Sequence, residues 1–151
     1  MAESLRLGTT DRKLDAVAVQ QGLTRDCPHR EGLKVTILPA ANFNPRFQKA
    51  VQEQLMAAAL RSRAKKAEEP NGEANTHVWN RYEDPQFIAT ALVSNMDGLY
   101  GANNKKRKYT PALGAEIFAD PSHWDVKQWV VNEALDLAQF YVQEVQAEAK
   151  N

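Results

Sequence analysis

Four times along this chain a short polar residue stands directly before proline: Asn44-Pro45, Asp84-Pro85, Thr110-Pro111 and Asp120-Pro121. Each pair is a helix-start signal. The polar side chain can accept a hydrogen bond from a free backbone N–H of the first turn, and proline fits the first helical position because its missing N–H has no partner there. Helices with fixed starting points are thus set into a chain of 151 residues, and the unequal spacing of the starts excludes an internal repeat.

The residues behind each start fill in the helices. After the first, Phe47, Val51, Leu55 and Ala58 step at helical spacing, and the Ala-rich AAALRSRAKKA carries the helix from 45 to about 67. EEPNGEANT, with Pro70 and Gly72, then reads as a linker. Behind the second, Phe87, Ile88, Ala91 and Leu92 form a short apolar face ended by Asp97-Gly98, which predicts a helix over about 85–97. The third start opens a short helix, about 111–118, through Leu113, Ile117 and Phe118. After the fourth, Val126, Val130, Ala134, Leu137, Tyr141 and Val145 make one stripe, predicting a helix over about 121–149, with Ser122 and Asp125 offering an alternative capped start. Trp124 and Trp129 are read as lying off that stripe, under the preceding short helix or against a partner.

Ahead of the helices the grammar differs. Residues 1–13 are polar without a period and read as a loose arm. LDAVAVQ, with Leu14, Val17 and Val19, and GLKVTIL, where Leu33, Val35 and Ile37 alternate with Lys34 and Thr36, read as two strands. QGLTRDCPHREG between them, with Gly22, Pro28 and Gly32, reads as the wide loop of a hairpin over 14–38. The expected fold is therefore α+β and mostly helical: an N-terminal two-stranded β-hairpin followed by about four helices, the last one longest, in a single mixed domain over 14–151.

Charge and motifs narrow the function classes. Lys plus Arg and Asp plus Glu both total 19, so no general attraction to nucleic acid or anionic membrane is expected, and any basic patch is local. Cys27 is the single cysteine, which forbids an intrachain disulfide. MAESLRLGTTDRK lacks the apolar centre of a signal peptide, and no stretch approaches the ~20 apolar residues of a membrane span, which predicts a soluble intracellular protein. Cys27-Pro28-His29 sets a thiol two residues from an imidazole. Zinc would need two further ligands, His77 and His123 are isolated, and a Cys–His nucleophile wants an orienting third group, so the pair reads as incidental to a loop. Phosphate loops, nucleophile elbows and HExxH motifs are missing, and Glu133, Asp136, Glu144 and Glu148 lie opposite the apolar stripe as a solvated face. The sequence predicts neither enzyme, metal site nor cofactor.

The basic run in KKRKYTP needs separate weighing. Lys105, Lys106, Arg107 and Lys108 follow the turn-rich DGLYGANN and precede the helix start at Thr110, so they occupy an exposed connection. Such a cluster could grip phosphate. Against this stand a neutral chain, only Tyr100 and Tyr109 as nearby aromatics, and no DNA-reading fold. A nucleic-acid or regulatory module is the least favoured reading.

The order of elements resembles a family. GLKVTILPAANFNPRFQKAVQEQL, followed later by DGLYGANNKKRKYTPALGAEIFADPSHWDVKQWVVNEALDLAQF, is similar to the small tail assembly chaperones of long-tailed bacteriophages over about residues 14–145. The sharpest pieces are PAANFNPRFQKA and the run of turn, basic residues, YTP helix and DP helix. Two departures concern the N-terminal sheet: Met96 in SNMDG stands where relatives carry Trp, and QGLTRDCPH where they show a Gly-Val-Trp strand. The resemblance implies a non-enzymatic role in the host cytoplasm, binding the tape-measure protein and unpolymerised tail tube subunits, and a longer form made by ribosomal frameshifting. A structural subunit of the virion, filling a symmetric ring as a homo-oligomer, is the alternative. The role requires apolar helix surface that accepts another helix. Candidates are Phe47, Val51 and Leu55 of the first helix, and Trp124, Trp129, Phe140 and Tyr141 of the last, with Trp129 preferred because it is read as off the stripe.

Overall fold

The residues expected to form the first strand form a helix instead. In the computed structural model, which describes residues 12–68 and 80–142, α1 spans Ala16–Gln21. The remainder of the polar arm, most of the linker with His77, and Glu144, Val145 and Glu148 lie outside the described residues. Local capping decides the conformation of α1. The Asp15 carboxylate accepts from the N–H groups of Val17 (3.1 Å) and Ala18 (3.2 Å), and Gly22, at φ +87°, ends the helix by donating to the Ala18 carbonyl.

The hairpin exists, with its first strand moved into the expected loop. β1, Leu23–Asp26, pairs antiparallel with β2, Lys34–Ile37, in the register Leu23↔Ile37 to Asp26↔Lys34. A third strand, β3 (Val93–Asp97), lies on the other side of β2 and replaces the second half of the helix expected over 85–97. That segment starts as expected: α3, Pro85–Phe87, is capped by Asp84 and continues into one π-helical turn, Ile88–Leu92. From Phe87 to Val93 only Thr90 is not buried, so the run has no solvent face to keep a helix amphipathic. At Val93 the chain becomes extended and joins the sheet, while the Leu38 N–H donates to the Leu92 carbonyl at 2.8 Å.

α2 (Pro45–Glu68) and α4 (Pro111–Ala119) start at their prolines. Asn44 Oδ1 accepts from the Arg46 N–H, Thr110 Oγ1 from the Leu113 N–H, and Asp120 Oδ1 from the Ser122 N–H. The last start leads through a 3₁₀ turn, Pro121–His123, into α5, Trp124–Leu135. The helix expected to run to 149 stops there, so α2 is the longest element. Asp136 closes α5 by donating its N–H to the Asn132 and Glu133 carbonyls, and the Gln139 amide also donates to Glu133 O at 2.6 Å. A second 3₁₀ turn, Leu137–Phe140, then carries Phe140 into a satellite core with Ala18 and Val19, and Tyr141 bridges to Leu14. Leu137, Ala138 and Gln139 are good helix formers, so propensity does not end α5; burying Phe140 completely stabilises the turn by about 1.5–3 kcal/mol.

The main core lies between the inner face of β2–β3 and the helices, around Val35, Ile37, Phe87, Leu92, Val126 and Val130. Two polar groups fix how the pieces meet. Asn44, 1% exposed, donates from Nδ2 to the carbonyls of Pro39 (2.9 Å) and Ala91 (3.0 Å), tying the exit of β2 and the start of α2 to the π-helical turn. Tyr109 donates its hydroxyl to the Ala89 carbonyl at 2.6 Å, and burial pushes its ionisation well above the ordinary tyrosine range. Gly114 of α4 makes room for that ring, since a Cβ there would lie 2.5 Å from the Tyr109 oxygen.

Candidate partner-binding surfaces

The basic run lies on a small hairpin. β4, Leu99–Tyr100, pairs antiparallel with β5, Lys106–Arg107, and Asn104 takes a positive φ of 56° in the turn. Gly98, at φ +103°, brings the strand entry against the Gly32 carbonyl, where any side chain would collide. Lys105, Lys106, Arg107 and Lys108 are all exposed. Lys106 Nζ lies 2.9 Å from Asp97 Oδ1; the hydrogen bond holds the Asp97 carboxyl below its ordinary range and raises Lys106. One of the run's four charges is therefore paired at the surface.

Arg107 reaches a cleft of about 370 Å³ between this hairpin, the β1–β2 loop and the α4–α5 pair. Leu33, Met96, Leu99, Leu113, Ile117 and Val126 make its apolar surface, and Arg30, Glu31, Tyr100, Arg107 and His123 its polar rim. Arg30 is committed. Its Nη1 and Nη2 donate to Asp125 Oδ2 (2.8 Å) and Oδ1 (3.1 Å), and further to the carbonyls of His29 (2.6 Å) and Ser122 (3.1 Å). This bidentate pair pins the β1–β2 loop to the first turn of α5, lowers the Asp125 pKa through the hydrogen bond and raises that of Arg30. With Arg30 matched by Asp125 and Arg107 accompanied by Glu31, the rim lacks the surplus positive charge of a phosphate site.

Cys27 is buried, its N–H donating to the Leu33 carbonyl, while His29 is exposed in the same loop. Among the described residues no group of three or more His, Cys, Asp and Glu is placed to hold a metal ion.

The candidate partner residues fall into two sets. Phe47 is 4% exposed, edge-on to Phe87 at 5.5 Å and covered by the Arg81 guanidinium; Phe140 is fully buried. Both are core. Val51 and Trp129 are half-buried against the main core, and Tyr141 is half-buried at its bridge to Leu14. Trp129, preferred from the sequence, thus lies on the edge of the α5 stripe, three residues from Val126 and packed against the main core. Leu55 (58%) and Trp124 (60%) are the candidates whose side chains face outward.

Leu55 has neighbours that its sequence stripe does not include. Met56 and Leu60 are 68% and 64% exposed on the same side of α2. At about 100° per residue, Leu55, Met56, Ala59, Leu60 and Arg63 fall within roughly 140° of arc, opposite the side of Phe47 and Ala50 that meets the core. α2 therefore has two apolar sides, of which, among the described residues, the protein's own core covers one, and only over its first turns. The pairs Val51/Leu55 and Met56/Leu60, each four apart, carry this in the sequence, but the alanine run between them reads as generic helix.

No family model, curated protein or solved structure matches this chain. Among the described residues no helix is long and apolar enough to cross a membrane.

Proposed function

We propose that this chain is a tail assembly chaperone of a long-tailed bacteriophage, a non-enzymatic binder that holds a segment of the tape-measure protein, together with unpolymerised tail tube subunits, in the host cytoplasm until the tail is built. The observation that carries the reading is the outer side of α2, where Leu55, Met56 and Leu60 stand 58–68% exposed on one helix. Single exposed leucines need no explanation, whereas three long apolar side chains on one helical face form a patch suited to another helix. Exposed side chains at this density also suit reversible binding, because a client can be released without opening the core. The α2 start at Asn44-Pro45 and the YTP and DP helix starts, which carry the family resemblance, add to it.

The experiment is mass spectrometry of purified phage particles combined with co-expression of this chain and the tape-measure protein. The chaperone reading expects the chain to be absent from particles and to co-purify with the tape-measure protein. A fixed copy number in the particle, in multiples of a ring symmetry, would make it a structural subunit and end the chaperone reading.

A further inference from the structure

Resting on the partner-binding reading of α2, we infer that its outer face docks an acidic amphipathic helix of a partner protein rather than a second copy of this chain. The argument is charge. The apolar patch of Leu55, Met56 and Leu60 is bracketed on its own side by exposed Lys49 and Arg63, fourteen residues or about 21 Å apart along the axis. Glu53, 4.0 Å from Lys49, is the only carboxylate from Pro45 to Ala64, against Arg46, Lys49, Arg61 and Arg63. A second copy packed in parallel would set each cation on its twin, and an antiparallel one would bring Lys49 towards Arg63; both arrangements place like charges across the contact. A helix carrying leucine-type side chains flanked by Glu or Asp satisfies both the apolar patch and its cations.

Among the described residues the surface is also free to accept it. The main core, with the π-helical turn and Phe87, meets α2 through Phe47, Ala50 and Val51, on the other side, so among the described residues docking needs no rearrangement of the fold.

The test uses the full chain and two labelled helical peptides long enough to span both cations. They share one apolar stripe and differ only in carrying Glu or Lys beside it. Fluorescence anisotropy in low salt should show the acidic peptide binding at least about tenfold tighter, with the preference narrowing as salt is raised. Leu60→Gln and Arg63→Glu should each weaken it at least about fivefold, and Arg107→Glu, on the distant hairpin, should not. All three positions are exposed, and circular dichroism checks that the variants fold. Equal affinity for the two peptides, or binding unmoved by Leu60→Gln, would overturn the inference. So would sedimentation showing a dimer that Leu60→Gln dissociates, since the face would then belong to a second copy. The two readings fail separately: tape-measure protein captured equally by wild type and Leu60→Gln sinks the docking face and leaves the chaperone standing, whereas no capture by wild type sinks the chaperone whatever the peptides do.

Discussion

Replacing Asn44 by alanine removes a side chain that is 1% exposed and makes three hydrogen bonds: Nδ2 to the carbonyls of Pro39 and Ala91, and Oδ1 from the Arg46 N–H. Loss of the cap alone costs about 1 kcal/mol. The two carbonyls lie at fully buried residues, and losing a buried partner costs about 1–3 kcal/mol each, towards the low end for a carbonyl oxygen. The expected destabilisation is about 3–5 kcal/mol, a large share of the ~5–15 kcal/mol that holds a domain together. At about 2–4 °C per kcal/mol this lowers Tm by roughly 10 °C. The internal control is Thr110→Ala, which removes an exposed cap at the same kind of proline start and should cost only about 1 kcal/mol. Urea melts of the two variants decide the matter. If Asn44→Ala falls no further than Thr110→Ala, Asn44 is a cap and nothing more, and its role as the joint between β2, α2 and the π-helical turn is refuted.

Gly114→Ala should destabilise, although alanine is the better helix former by about 1 kcal/mol, because its Cβ would lie 2.5 Å from the Tyr109 hydroxyl and 2.9 Å from Ala89 Cβ. A urea-melt double-mutant cycle with Tyr109→Phe should recover part of the loss, and an unchanged cost in the Phe background would show that the hydroxyl is not the obstacle. For Asp125, whose folded pKa lies below the ordinary carboxylate value, the stabilisation is present above about pH 4 and disappears as pH falls through the lowered value. Wild type should therefore exceed Asp125→Asn in stability at neutral pH and converge with it in acid, and urea melts from pH 7 downward read that gap directly.

Structure decided within a few residues is legible in this sequence, and structure decided across many is not. Caps at Asn44, Asp84, Thr110 and Asp120 act on the next turn of backbone, so the helix starts can be read from dipeptides. β3 cannot, since Val93–Asp97 is a strand only because Val35 and its neighbours lie alongside it, Val35 facing Met96 from sixty-one positions away. The end of α5 is hidden for the same reason: Leu137 and Tyr141 keep the helical period, but Phe140 finds a better place against Ala18 and Val19. Of the candidate surface, Leu55 is legible and Met56 and Leu60 are not, because helical spacing reveals that a residue shares a face without telling whether the core covers that face. Phe47 and Leu55 sit on the same predicted stripe, yet one is core and the other is open to solvent.

That separation also settles where the chain's charge matters. The four consecutive basic residues draw attention, yet Lys106 is matched by Asp97, and Arg107 lines a cleft that Glu31 also lines. α2 carries no such run, but four cations against Glu53 along Pro45–Ala64 leave a net positive helix on a chain whose total is zero. A charge distributed along an exposed helix acts over about a Debye length, so it speeds encounter with an oppositely charged partner and weakens as salt rises. In the docking proposed for α2, the exposed apolar side chains of the same helix would then hold the partner. Neutral composition therefore argues against a general attraction to polyanions while allowing the directed one proposed for α2, whose second apolar side is open among the described residues.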